Sequence, residues 1–151
     1  MRHMLCAATL AALTLPAIAH SQSAEDVLAA RQGYMKLIGL NTGVLSGMAR
    51  GNIDYDEDRA AAAAANLEAL VRYDAPGLFV PETSSDDLAN SGALPAIWDN
   101  PEDFGAKFAA LGDAVAGSTD AVRGGQGNVG AALQQIGGAC KDCHDDYRKP
   151  E

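Results

Sequence analysis

A run of inward-facing side chains near the C-terminus limits what this chain can fold into more than any other feature. Val129, Leu133, Ile136, Cys140, Cys143 and Tyr147 follow at steps of four, three, four, three and four. That is the spacing of one helix face turned toward other helices. Two cysteines therefore share the inner face, and His144 lies on its flank. The stretch Cys140-Lys141-Asp142-Cys143-His144 is also Cys-x-x-Cys-His, the attachment signature of a c-type haem. Each sulfur can add across one haem vinyl group, and the neighbouring imidazole can reach the iron. A macrocycle fixed there must lie inside a helical bundle, near one end. Only Asp145 to Glu151 follow His144, so a sixth iron ligand has to come from far upstream, or the iron keeps an open face.

Three other readings of the motif are weaker. A structural zinc site needs about four Cys, His or carboxylate ligands, and this region offers three soft ones. A thioredoxin-like dithiol needs an α/β frame, which the helical pattern lacks. A disulfide across two intervening residues leaves the histidine without a role.

The N-terminus reads as an export signal. Met1-Arg2-His3 is basic, Leu5 to Ile18 is apolar, and Ala17-Ile18-Ala19 or Ala19-His20-Ser21 fits a small-residue cleavage site. The apolar run is shorter than the ~18–20 residues of a membrane span, and Pro16 interrupts it. The expected organisation is a signal peptide over 1–21 and one domain over 22–151, with no membrane insertion after cleavage and a periplasmic destination. Cleavage removes Cys6, His3 and His20 and leaves Cys140, Cys143 and His144. The loss of Arg2 moves the formal net charge from −9 to −10. So acidic a chain argues against nucleic acid or an anionic membrane face as partner.

The rest of the chain reads as all-α, with four helices. The first is expected from about Ala24 to Ala49, with Val27, Arg31, Tyr34, Ile38, Asn41, Leu45 and Met48 along one seam. The second starts near Asp56-Glu57-Asp58, acids that suit the positive helix N-terminus, and runs through an alanine tract to about Tyr73. Alanine favours helix and lets a neighbour approach closely. Ala75 to Asn100 is a long connection rich in breakers, with Phe79, Ile97 and Trp98 as its packing anchors. The third helix opens with Asn100 as N-cap and Pro101 at the first helical position, then steps through Phe104, Phe108, Leu111 and Val115. Gly117 to Gly127 breaks the chain again before the last helix.

Around a haem on that last helix, several residues are candidates. Met35 and Met48 are the methionines left after the leader, both on the first helix. Met48 reads as core. Met35 either ligates iron or merely covers the open face. Arg31 is a charge on a seam, costly unless paired, and it suits a haem propionate; the alternative is a solvent-reaching side chain beside Glu25 or Asp26. Gln32 is its assistant. Arg148, four residues after His144, is a candidate for the histidine's side of the haem or a plain helix C-terminal cation. Trp98, Phe79, Phe104 and Phe108 are apolar walls.

Taken together, Ala30-Arg31-Gln32-Gly33-Tyr34-Met35-Lys36, Ala96-Ile97-Trp98 and Gly137 through Arg148 resemble cytochrome c′, the class II c-type cytochromes of bacterial periplasms. The resemblance covers essentially the whole chain after the leader. It implies an antiparallel up-down-up-down four-helix bundle, the architecture for which cytochrome c′ is a standing example. It further implies one covalent haem c, His144 as the only protein ligand, and high-spin five-coordinate iron with Met35 crowding the open face. Arg31 and Gln32 would lie near the propionates and Arg148 near the axial histidine. Family members commonly pair as homodimers through the first two helices, bind nitric oxide and carbon monoxide, and are associated with nitric oxide tolerance or electron transfer. Low-spin relatives use a first-helix methionine as sixth ligand, so Met35 leaves two functions open: a gas binder, or a His/Met electron carrier with an unidentified redox partner. A third possibility is a haem-free helical stress protein. No general base, nucleophile pair or second metal set is visible, and the chain is not read as an enzyme.

Overall fold

A computed structural model describes residues 23–150; the signal-peptide reading of 1–21, with Cys6 and His20, lies outside them. Helix α1 spans Ala24–Ala49. Ser23 caps it by accepting from the Asp26 backbone N–H at 3.1 Å. The chain reverses at once because Ile53 folds over Gly47: a Cβ there would meet Ile53 Cδ1 at 2.5 Å. Helix α2, Glu57–Leu70, is capped by Asp56, which accepts from Arg59 N–H at 2.8 Å. Ala60, Ala61, Ala63, Ala64 and Leu67 are buried, and the small alanines bring α2 close to its neighbours. The helix stops three residues short of the expected Tyr73. Its last turn tightens instead: Tyr73 N–H and the Tyr34 hydroxyl both donate to the Leu70 carbonyl, at 3.0 and 3.3 Å.

The connection is not bare loop. It holds a 3-10 turn over Ala75–Leu78 and helix α3 over Ala96–Asp99. Helix α4, Pro101–Val115, starts at the expected proline with Asn100 at the N-cap position, but the Asn100 side chain makes no capping bond. The Asn100 amide donates to the Ala96 carbonyl at 3.1 Å and so closes α3. The expected break after α4 contains a further short helix, α5, Ser118–Ala121, entered through Gly117 at φ 76°. Helix α6 spans Gln126–Tyr147.

Three contacts fix the helix directions. Gln126 Nε2 donates to the Ala49 carbonyl, joining the start of α6 to the end of α1. Tyr55 Oη donates to the Val122 carbonyl, joining the start of α2 to the segment after α4. Tyr147 Oη donates to Asp103 Oδ2 at 2.6 Å, joining the end of α6 to the start of α4. The result is the expected up-down-up-down bundle, all-α, with the long connection crossing the end that carries Cys140 and Cys143. Among the described residues, no helix is long and apolar enough to cross a membrane.

Candidate functional site

The last two turns of α6 bring the sequence-predicted thiols to a boundary between two apolar clusters. Cys140 packs at the edge of the main core, as do Met35, Leu133, Ala139 and Phe108. Cys143, one turn on, packs against a second cluster built on Ala93, Ile97, Phe104 and Tyr147, with Phe79, Trp98 and again Phe108 around it. Phe79, Phe104, Phe108 and Tyr147 meet edge to face, with centroids 4.7 to 6.0 Å apart. Both cysteines are free and half-buried. Burial raises both thiols above their ordinary range, Cys143 to about 11. They are protonated at neutral pH.

His144 lies on the exposed flank of α6, beside the seam. Partial desolvation, followed by the charge of Arg148, lowers its pKa against the opposing pull of Asp145. The imidazole is thereby held neutral, the form that has a free lone pair for a metal. The donor set and its walls fit a haem attached through two thioethers. Two cysteine sulfurs one helical turn apart lie on the inner face, an imidazole adjoins the second, and the walls on either side are apolar. A cleft of about 230 Å³ between the end of α2 and α4 has Phe108, Tyr73 and Gly105 in its lining.

The remaining predicted residues sit as follows. Met35 is half-buried at the rim of the main cluster, whereas Met48 is completely enclosed, as expected of core. Arg31 is 4 % exposed, and every acceptor it uses is neutral and lies in the connection. Its Nη1 donates to Thr83 Oγ1 at 3.1 Å, and its Nη2 to the Thr83 carbonyl at 2.8 Å and Ser91 Oγ at 2.9 Å. Its guanidinium stands 4.7 Å from the Phe79 ring centroid. The solvent-reaching alternative beside Glu25 or Asp26 is therefore not the one adopted. Gln32 Nε2 donates to the Asn90 carbonyl at 2.9 Å. Trp98 Nε1 donates to the Phe79 carbonyl at 3.1 Å and keeps its ring against the cluster that Cys143 touches. Arg148 is the C-cap of α6: its N–H donates to the His144 carbonyl at 3.2 Å, and its charge acts on the imidazole. Arg148 leaves in extended conformation (φ −115°, ψ 131°) and bridges to Ala93. The bridge explains this: the chain beyond Tyr147 pairs with residues 92–94 rather than winding on.

Sequence reasoning missed Thr83, Ser91 and Asn90, which sit in a polar connection without periodicity. The one available signal was the seam position of Arg31, which demands buried acceptors somewhere.

The model of the family described as Cytochrome C' matches residues 26–148. A cytochrome c' of Cereibacter sphaeroides is 43% identical over 148 residues, covering 98% of each chain. A cytochrome c-554 of the same organism is 34% identical over 146 residues, covering 96% of this chain and 95% of the relative. A solved cytochrome c' from Rhodobacter sphaeroides superposes with a TM-score of 0.82 at 42% identity, covering 86% of this chain and 100% of the other. With the bundle, the paired thiols and the adjoining imidazole already in view, these likenesses lead to one conclusion: the chain belongs to the cytochrome c' family, whose proteins carry covalently attached haem c.

Proposed function

We propose that this chain is an exported periplasmic haem c protein, with Cys140 and Cys143 as the thioether positions and His144 as the only protein ligand of a five-coordinate, high-spin iron. Its role is to bind small gases, nitric oxide and carbon monoxide, to pass single electrons, or both; it is not an enzyme. Haem supplies a metal centre that takes a diatomic ligand or an electron. The chain's own residues orient that centre and keep water from it. The observation that carries this reading is the placement of Cys140 and Cys143 on the inner turn of α6, between two apolar clusters, with His144 on the open flank. On the facing helix α1, Met35 offers no hydrogen-bond donor. Such a face suits nitric oxide and carbon monoxide better than dioxygen, whose binding is helped by a donor. Arg31, Gln32, Trp98 and Arg148 are proposed as pocket residues around the haem.

A second reading, a low-spin electron carrier with Met35 as sixth ligand, is favoured by one observation. Unlike Met48, Met35 is only partly buried, at the rim of the main cluster rather than sealed within it. Ferric and ferrous optical spectra, with and without carbon monoxide, together with paramagnetic resonance, separate the two. The five-coordinate reading expects a high-spin ferric signal that persists in Met35→Ala. A low-spin signal with a near-infrared sulfur-to-iron band that disappears in Met35→Ala would overturn it. Mass spectrometry of the exported protein is expected to find a chain starting near Gln22 with one added haem; an unprocessed chain or one lacking the haem mass would contradict export or attachment.

The same reading includes a homodimer through α1 and α2. Leu37 and Leu40 on α1 and Tyr73 just beyond α2 are 49%, 68% and 56% exposed, large apolar side chains left without cover in one chain. Sedimentation is expected to give a dimer that Leu40→Glu dissociates. A monomer in the unaltered protein would refute it.

A further inference from the structure

A set of polar contacts joins the two sides of the haem site through the connection. On the α1 side, Arg31 stands one turn before Met35, and its three hydrogen bonds converge on Thr83 and Ser91. These acceptors are themselves tied down. Thr83 Oγ1 donates to the Val80 carbonyl at 2.6 Å, and Ser91 Oγ donates to the Thr83 carbonyl at 2.8 Å and accepts from Ala93 N–H at 3.3 Å. Thr83 and Ser91 are 0% and 5% exposed. The residues directly after Ser91 then pair with the chain leaving α6. Lys149 N–H donates to the Gly92 carbonyl at 2.9 Å, and Leu94 N–H to the Tyr147 carbonyl at 3.0 Å. Arg148 N–H turns back to the His144 carbonyl at 3.2 Å.

The physics of helix ends gives this arrangement a consequence. The last four carbonyls of a helix have no partner within it, and terminal turns fray at little cost. His144 belongs to that last turn. Here the turn is held by residues 92–94, and those are held by a buried cation whose acceptors are all neutral. A buried guanidinium tolerates few alternative geometries, because losing any acceptor leaves a charged donor unsatisfied.

We propose that Arg31, Thr83 and Ser91 form a clamp that fixes the last turn of α6 and thereby sets the position of His144 as axial ligand, making Thr83 and Ser91 positioning residues for the iron. This rests on the haem reading above. Neither residue needs to touch the haem; each acts through the backbone pairing of 92–94 with 147–149.

The test uses the exported, haem-loaded chain with Ser91→Ala, Thr83→Val, Thr83→Ser and Lys149→Pro. Amide hydrogen exchange at Leu94 and Lys149 reads the clamp, with Gly124 at the opposite end as control. The iron–histidine stretch in the ferrous resonance Raman spectrum reads the ligand. Loss of one buried hydrogen bond should speed Leu94 and Lys149 exchange by about tenfold in Ser91→Ala and Thr83→Val, leave Gly124 unchanged, and shift or broaden the stretch. Thr83→Ser keeps the hydroxyl and should restore both readouts. Lys149→Pro removes one link outside the bundle and should move the stretch without disturbing the core. Unchanged exchange in both Ser91→Ala and Thr83→Val would overturn the clamp. Faster exchange with an unmoved stretch would overturn its reach to the ligand. If Arg31→Lys alone altered the iron spectrum while Ser91→Ala and Thr83→Val left it unmoved, Arg31 would act on the haem directly and the proposal would fail. A chain without a Soret band is a different failure: it removes the haem reading, and the axial role with it, and is recognised before any variant is compared.

Discussion

Where α1 closes onto α2, the interior is made of aliphatic side chains shut away from solvent. Leu45, Met48, Val115, Val122 and Val129 are all 0% exposed, and the alanines of α2 pack beside them. Where α6 ends, the interior is built differently. It is split into two clusters, rich in aromatic rings, half-open at both cysteines, and tied by polar contacts at Arg31, Tyr147 and the 92–94 strap. The first end gains stability from apolar burial that is indifferent to direction. The second relies on directional hydrogen bonds, which hold groups in place but add little net stability apiece. A bundle that must leave room for a macrocycle at one end can afford that only because the other end is close-packed.

The largest expected effect lies at the closed end. Leu45→Ala removes a fully enclosed side chain and is expected to cost about 2–5 kcal/mol in denaturant unfolding, while the iron spectrum of the folded protein stays unaltered. A spectral change as large as that of a haem-site variant would show that the two ends are not separate.

At the thiol end the expected effect is smaller and depends on pH. The hydrogen bond from Tyr147 to Asp103, with burial behind it, pushes the phenol up to about 12. Its pKa in the folded state is thus above the unfolded value of ~10. The stabilisation is full below that value and is lost as pH rises toward about 12. Unfolding measured from neutral to strongly alkaline pH should steepen in this window for the unaltered protein and flatten in Tyr147→Phe. Equal slopes would mean that this bond does not anchor α6 to α4.

The smallest effect is expected at Glu57, back at the closed end. Its exposed carboxylate accepts from Gly124 N–H at 2.9 Å and from Arg123, which lowers its pKa. A lowered carboxyl contributes above its ordinary pKa of ~4.3 and loses that contribution as pH falls through the folded value. Glu57→Gln should flatten the acid limb of the stability curve without changing the neutral plateau by much. A large loss at pH 7 would show that polar latches matter at both ends alike.

Much of the fold was legible because its signals are local. The limits of α1, the start of α4 at Pro101 and the inward seam of α6 follow from caps, proline and periodicity, each read within a few residues. The misses go with contacts that no local pattern shows. At the early end of α2 the Leu70 carbonyl takes the Tyr34 hydroxyl as well as Tyr73 N–H, and α5 is a short turn whose backbone N–H at Thr119 is met by Glu68 from α2. Arg31 illustrates both halves: its seam position announced a need for partners, but those partners lie 52 and 60 residues away.

By itself, the sequence determined the class of fold and the chemistry of attachment. Helical period, apolar spacing and two thiols beside an imidazole are properties of short segments, and no packing arrangement alters them. Only the tertiary structure decided that two clusters meet at Phe108, that Arg31 grips the connection, and that the chain after Tyr147 pairs with residues 92–94. Those contacts join segments far apart in the chain, and hydrogen-bond acceptors in a polar connection carry no periodic signature. Which of them a buried cation takes is fixed when the helices close around it.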